Sequence, residues 1–170
     1  NKDYRDCVKK LTPIFVEKFL SVIENVQNEK KENTRTLGGL KWVEYGLGVE
    51  MTLDSCARKS RSVSCTFFAT ANDYDLLLYI YGSTAIYDQT GKKYNANFVS
   101  IANFQTPLKA PRSELIGELI RKVNTKVVLR FPDVGEDSKT ISKAMMKSYV
   151  KGKGASDYHN FEFRNIEIRI

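Results

Sequence analysis

Cys56 and Cys65 are the residues whose spacing indicates the most specific chemistry, the formation of a disulfide bond. They lie at equal distances from the polar dipeptide Ser60-Arg61, between two strand-like runs, 49–57 and 62–70. If the chain folds back at Ser60-Arg61, the two cysteines stand opposite each other at the separation that a cross-strand disulfide requires. Disulfides persist in oxidising compartments, so the pair predicts an exported protein, periplasmic or secreted.

The other reactive residue types do not form a catalytic or metal-binding set. His159 is the one histidine, in the polar stretch 152–160, which has the composition of a mobile loop. A nucleophile normally needs a neighbouring base, and zinc prefers clustered His and Cys ligands. Asn72, Asp73 and Asp75 could offer oxygens to calcium, but the glycine and distal glutamate of an EF-hand loop are missing. We expect no enzymatic activity, no metal and no cofactor.

The net charge of +7 lies entirely in residues 58–170. Residues 1–57 contain nine Lys/Arg and nine Asp/Glu, whereas the later residues contain eighteen and eleven. Such an excess favours anionic partners. The lysines are scattered among acidic residues, however, which is also typical of a solvated surface, and we favour that interpretation.

Residues 1–39 are predicted to form an N-terminal amphipathic helix and a linker. Thr12-Pro13 is typical of a helix start, and apolar residues then recur at steps of three and four. These residues are Leu11, Phe15, Phe19, Val22 and Val26. The apolar stripe either packs on the following domain or pairs with a second copy of the chain. Cys7 is either a half-buried thiol or a bridge between two protomers. No run approaches the ~20 apolar residues that a membrane span needs.

From residue 40 onward the hydrophobic period changes to two, which is typical of strands with one buried face. Val49, Met51 and Leu53 alternate with polar residues. The parity changes at Asn165, which predicts a bulge there, whereas 138–151 fits either helix or strand. Six to eight strands joined by short turns predict a mainly β fold, an antiparallel immunoglobulin-like β-sandwich over residues 40–170.

The cysteine pair conflicts with the alternation of its first strand. If Cys56 faces Cys65 without interruption, Asp54 faces Phe67, which places an acidic residue on the buried side. Two explanations are open at this point. Either a bulge lies near Asp54-Ser55, or the disulfide is on the more exposed face of the sheet.

Five segments between residues 49 and 170 resemble a loose group of bacterial exported domains. They are Leu53–Cys56, Val63–Phe67, Thr70–Asp73, Ile86–Tyr94 and Phe161–Ile166. The resemblance implies an immunoglobulin-type sandwich with a disulfide-tied hairpin, a D-x-x-G-x-x-Y turn and a phenylalanine-rich closing strand. Most members of the group have no assigned activity, so it transfers no catalytic residue. Where the group has a proline or glycine before a late strand, this chain has Arg121-Lys122-Val123-Asn124.

We therefore predict a non-catalytic, exported bacterial domain that binds another protein and no nucleic acid. Three loops supply the candidate binding residues, which are Asn72, Asp73, Tyr74, Asp75, Asp88, Lys92, Lys93, Tyr158 and His159. Two alternatives are a periplasmic inhibitor or immunity protein that inserts a loop into a toxin or hydrolase, and a basic module that binds an envelope polymer or another anion.

The aromatic residues around the central strands allow two interpretations. They are Tyr79, Tyr81, Tyr87, Tyr94 and Phe98. On an exposed sheet face they would form a binding platform of the kind that also stacks on single-stranded nucleic acid. On the edge of the core they would only pack, and we favour this second interpretation.

Overall fold

The computed structural model describes residues 35–36, 39–44, 48–153 and 155–170, which belong to one structural unit. The predicted N-terminal helix, Cys7 and the possible self-association through that helix lie outside the described residues. The domain boundary at residue 40 stays a prediction.

Every regular element among the described residues is a β-strand, so the predicted mainly β fold is confirmed for this part of the chain. The strands are β1 (Arg35–Thr36), β2 (Gly39–Glu44), β3 (Val49–Lys59), β4 (Ser62–Ala71), β5 (Leu76–Tyr81), β6 (Ala85–Asp88), β7 (Lys93–Asn95), β8 (Phe98–Ile101), β9 (Phe104–Pro107), β10 (Glu114–Leu119), β11 (Asn124–Phe131), β12 (Thr140–Gly152) and β13 (Ala155–Arg169). The described residues form more strands than the six to eight that the sequence predicts. Strands as short as β7 and β9 contain too few residues to show a clear hydrophobic periodicity in the sequence.

The strands form two layers around one core. Layer I contains β2, β3, β4, β11, β8 and β9 in that order, and layer II contains β10, β5, β12 and β13, with β6 and β7 beside the first half of β12. Pairing within each layer is antiparallel, whereas β13 meets β3 in parallel at Ile168 and Arg169 and joins the layers. The Phe67 and Phe163 rings lie 5.3 Å apart between the layers. The described fold is thus a β-sandwich; its immunoglobulin-like connectivity stays a prediction.

The β3–β4 hairpin has the predicted disulfide. Lys59 pairs with Ser62 across the two-residue turn, in which Ser60 adopts a positive φ of 53°. Cys56 lies directly opposite Cys65 with a Cα–Cα distance of 4.0 Å, and the two are bonded. Both cysteines are fully buried. The prediction of the bond is confirmed, and the alternative that it lies on an exposed face is wrong.

The bulge offered as the other explanation is present at Asp54. Leu53 faces Phe67 and Ser55 faces Thr66, so Asp54 is the extra residue of the ladder. Its side chain is exposed, and the Ser55 hydroxyl donates a hydrogen bond of 2.8 Å to its carboxylate. The bulge therefore brings both Leu53 and the following cysteine onto the buried face.

The prediction of a mobile loop over residues 152–160 is wrong. Strands β12 and β13 form a hairpin in which Gly152 pairs with Ala155 and Ser148 pairs with His159. The Ser148 hydroxyl also donates a 3.1 Å hydrogen bond to the His159 carbonyl oxygen. Polar residues occur here because one face of the hairpin is exposed. The composition of such a strand is similar to that of a loop, so composition alone does not distinguish the two.

The parity change at Asn165 is present, but the prediction of a bulge there is wrong for the β12–β13 ladder. Phe163 and Ile166 are both buried, although they are three residues apart, and Asn165 between them has a positive φ of 54°. Strand β12 changes parity opposite, between Ile141 and Ala144, and the β12–β13 register is the same on both sides. The irregularity is therefore a matched distortion of two strands rather than a bulge of one against the other.

Replacement of both bridge cysteines, Cys56→Ala with Cys65→Ala, should lower the free energy of unfolding by about 2–3 kcal/mol, because the bond closes a loop of about ten residues. Urea unfolding monitored by circular dichroism measures the change. Wild-type protein unfolded in urea and treated with an alkylating agent should show no label on either residue until a reductant is added, as read by peptide mass mapping. Labelling of both residues before reduction would contradict the disulfide.

Candidate functional site

The loops predicted to bind a partner do not converge on one surface. Asp88 pairs with Ile141 near the start of β12, whereas the Tyr74 ring packs against Gly152 at its end. The eleven steps from residue 141 to residue 152 span about 36 Å at ~3.3 Å per residue. The structure thus places Asn72–Asp75 beside the β12–β13 turn and separates both from the Asp88 turn.

The Asp88 carboxylate organises its own turn. One oxygen accepts hydrogen bonds from the Thr90 amide (2.9 Å), the Thr90 hydroxyl (2.6 Å) and the Lys92 amide (3.0 Å). The other accepts from the hydroxyls of Tyr94 (2.9 Å) and Ser138 (3.0 Å). Burial by itself raises the pKa of Asp88, but the hydrogen bonds from Thr90, Tyr94 and Lys92 lower it well below the ordinary value of an aspartate.

Asp88 is thus buried and occupied, whereas its neighbours Lys92 and Lys93 are exposed. The Lys92 ammonium lies 5.3 Å from the centroid of the Tyr94 ring, a cation–π contact within the turn. Among the charged residues of the D-x-x-G-x-x-Y segment, the two lysines can therefore reach a partner, whereas the aspartate has a structural role.

The segment Asn72–Asp75 is similarly tied into the fold. The Asn72 amide donates a 2.6 Å hydrogen bond to the Gly48 carbonyl oxygen, and the Asp75 carboxylate accepts a 2.7 Å bond from the Arg121 amide. Asp73 is exposed. Among the described residues no group of three or more His, Cys, Asp or Glu side chains is placed to hold a metal ion.

Tyr158 and His159 occupy opposite faces of β13. His159 is half-buried on the inner face beside Phe161, with ring centroids 6.2 Å apart. Tyr158 points outward and is 73% exposed. The two residues therefore do not form one recognition element, although they are adjacent in the sequence.

A row of four apolar or aromatic side chains crosses the outer face of layer II. The strand register places Ile116 of β10 beside Tyr79 of β5, Tyr79 beside Tyr149 of β12, and Tyr149 beside Tyr158 of β13. We name these four residues the tyrosine row. The ring centroids of Tyr79 and Tyr149 are 5.4 Å apart, and those of Tyr149 and Tyr158 are 4.9 Å apart. The row is therefore a continuous contact surface four strands wide.

A groove of about 500 Å³ runs beside the tyrosine row. It is lined by Tyr81, Ser83, Pro111, Arg112, Lys147, Ser148, Tyr158 and Asn160, and we name it the basic groove. Among the described residues, neither Arg112 nor Lys147 makes an ion pair. Farther along the same face, the cation of Lys143 is bound to Glu162 at 2.6 Å. Arg112 and Lys147 are therefore two cations at the groove that no ion pair of the described residues neutralises.

The wall of the basic groove is held by a close backbone approach. The Gly82 amide donates a 2.7 Å hydrogen bond to the Ser113 carbonyl oxygen, and a Cβ atom on Gly82 would lie 2.2 Å from the carbonyl oxygen of Ala110. Only glycine allows this contact. The backbone of residues 110–113, which includes Pro111 and Arg112, is therefore positioned by strand β5.

Tyr81 forms part of the groove and keeps its proton at neutral pH. Burial, the neighbouring Glu114 carboxylate and Tyr158 together raise the pKa of Tyr81 to about 12. Its hydroxyl is thus a neutral hydrogen-bonding group beside the two cations.

Part of this surface is predictable from the sequence. Tyr79 and Tyr81 belong to the predicted aromatic platform, and both lie half-exposed on the outer face, whereas Tyr94 is buried. Ile116 and Tyr149 are not among the predicted residues, because only the register of distant strands places them beside the others. Their outward positions in alternating segments were the available signal.

Substitution of Asp88 by asparagine should lower the free energy of unfolding at neutral pH by about 3 kcal/mol, because a neutral amide cannot accept all five hydrogen bonds. A carboxylate with a lowered folded-state pKa stabilises the fold above its unfolded pKa of about 4 and loses that contribution as the pH falls below it. Wild-type protein should therefore lose more stability than Asp88→Asn between about pH 5 and pH 2. Urea unfolding at several pH values measures both effects, with the exposed Asp137→Asn as the matched control. Equal stability of the two variants at neutral pH would contradict the structural role.

No known protein-family model and no curated protein sequence matches this chain. Among solved structures, the GAE domain of yeast GGA1 superposes with a TM-score of 0.42 at 11% identity, covering 73% of this chain and 96% of that chain. The GAE domain of GGA2p from Saccharomyces cerevisiae superposes with a TM-score of 0.45 at 10% identity, covering 76% and 98%. At these values the similarity does not assign the chain to a family.

Proposed function

We propose that this protein is a non-catalytic, exported bacterial domain of the immunoglobulin-like type, and that it binds another protein through the tyrosine row. The row itself is the observation that carries the proposal. Tyrosine is enriched at protein interfaces because a large apolar ring and a hydroxyl are presented together with few rotatable bonds. Three neighbouring tyrosines and one isoleucine on one sheet face can form such a binding surface.

The exposure of the row distinguishes binding from simple sheet stabilisation. Cross-strand aromatic pairs stabilise a sheet by about 0.2–1 kcal/mol each, which accounts for the half-buried Tyr79 and Tyr149. Tyr158 is 73% exposed and Ile116 is 44% exposed, so most of the Tyr158 ring gains no burial within the domain. Large apolar groups left in water at the two ends of one row favour a partner that covers them.

Export rests on the buried disulfide and on the resemblance to exported bacterial domains. Thiols are kept reduced in the cytoplasm of most organisms, so a disulfide between Cys56 and Cys65 would not persist there. In the part of the chain that the structure describes, no helix is long and apolar enough to cross a membrane.

The tyrosine row also favours one mode of binding. Its residues lie on β10, β5, β12 and β13, the four consecutive strands of layer II, so a partner would contact a flat face rather than receive an inserted loop. The inhibitor hypothesis stays a prediction, with the row as the surface that would block the toxin or hydrolase.

The substitution Tyr158→Ala should remove binding of the partner with little effect on stability, because the ring is mostly exposed. Phe104→Ala is the matched control, since Phe104 is 64% exposed on β9 of layer I. Both variants and wild-type protein would be used as baits for envelope and secreted fractions of the source organism, with captured proteins quantified by mass spectrometry. We expect one protein captured in stoichiometric amount by wild type and by Phe104→Ala, and at least about tenfold less by Tyr158→Ala.

Capture of the same protein in equal amounts by all three baits would refute the tyrosine row as the binding surface. If wild type captured no stoichiometric protein from either fraction, the interaction function would be refuted as a whole.

A further inference from the structure

The basic groove combines three kinds of group that recognise a charged sugar. Tyr81 and Tyr158 provide aromatic faces, with ring centroids 6.3 Å apart and ring planes 29° from parallel. Arg112 and Lys147 provide two cations that have no anionic partner among the described residues. No one of these features identifies a ligand, but their placement in one groove restricts the chemical class of the ligand that could bind there.

Each group matches one part of a sugar that carries an acid. The C–H side of a pyranose ring is apolar and packs on an aromatic face, whose π electrons attract its hydrogens. Arginine and lysine bind carboxylate or sulfate by charge-assisted hydrogen bonds. Ser83 and Asn160 also line the groove, and their hydroxyl and amide both donate and accept, as sugar hydroxyls require.

We propose that the basic groove binds an acidic saccharide, in which an anionic group lies between Arg112 and Lys147 and a sugar ring packs on Tyr158. The volume of about 500 Å³ is within the range of small-ligand sites. The groove wall is held in place by the Gly82–Ser113 hydrogen bond, so the site exists without the ligand. This binding does not require the protein partner proposed above.

Other charged and aromatic groups near the groove favour a saccharide over single-stranded nucleic acid. Stacking of successive bases needs a series of open ring faces. The planes of Tyr79 and Tyr149 are 74° apart, so the row does not continue the groove as a stack. Glu114 pairs beside Tyr81 and places a negative charge at the groove edge, which disfavours any long polyanion leaving the groove on that side and favours a short acidic ligand.

The test is titration of the purified full chain with trigalacturonate and with a sulfated heparin disaccharide, followed by calorimetry and by amide chemical shifts. We expect at least one of the two to bind, with shifts centred on Tyr81, Arg112 and Tyr158. The double variant Arg112→Gln/Lys147→Gln should weaken that binding about tenfold or more. The control Lys126→Gln/Arg169→Gln removes the same charge from exposed positions elsewhere and should bind as wild type does. Thermal melting of both variants verifies that they fold.

Three results would overturn the proposal. The first is binding of neither saccharide at millimolar concentration. The second is an equal loss of binding in the two double variants, which would indicate a nonspecific charge effect. The third is tighter binding of oligothymidylate than of either saccharide at the same groove, which would indicate a nucleic-acid site. None of these results depends on capture of a protein partner, so the two proposals fail separately.

Discussion

Strand β13 hydrogen-bonds to β12 along most of its length and then to β3 at its end, and this strand joins the two layers. Each layer can bury only one face, so β13 must present apolar side chains to the core throughout. It does so with Phe161 and Phe163 before Asn165 and with Ile166 and Ile168 after it. Asparagine tolerates the left-handed backbone that this change requires better than most residues do. Without the change, the final isoleucines would point outward and the join with β3 would lose its packing.

The same constraint explains the bulge at Asp54. Strict alternation would place Asp54 and Cys56 on the same face of β3, and one extra residue in the ladder leaves the aspartate exposed and the cysteine buried. Burial of an unpaired carboxylate costs far more than the local loss of one strand pair. Both irregularities thus occur where the sequence departs from strict alternation, and both keep the core apolar.

Local patterns in the sequence were sufficient to predict the features that depend on neighbouring residues. The hairpin turn at Ser60-Arg61, the disulfide, the bulge as one of two explanations, and the parity change at Asn165 all involve residues close together in the chain. The prediction of a mobile loop over residues 152–160 is wrong for a different reason. A strand with one solvent-exposed face contains polar residues at alternate positions, and a segment with a short hairpin turn then has the composition of a loop.

The tyrosine row could not be assembled from the sequence, because its residues come from strands that are distant in the chain. Tyr79 and Tyr149 are 70 residues apart, and only the β5–β12 register makes them neighbours. Nothing in either segment distinguishes an outward tyrosine with an aromatic or apolar neighbour on each side from one that stands alone. The sequence predicts the loops as the binding residues because polar exposed segments often bind partners. Here the Asp88 turn uses its carboxylate for its own hydrogen bonds, so this carboxylate is not available to a partner.

A sheet face also suits binding for an energetic reason. Side chains on flexible loops lose conformational freedom when a partner orders them, and this loss reduces the affinity. Tyr79 and Tyr149 are already held by contacts across three strands, and the backbone beneath them is hydrogen-bonded on both sides. The order of this surface is therefore established during folding rather than during binding. Tyr158 is held on one side by Tyr149 and exposed on the other, so it can contact a partner at little entropic cost.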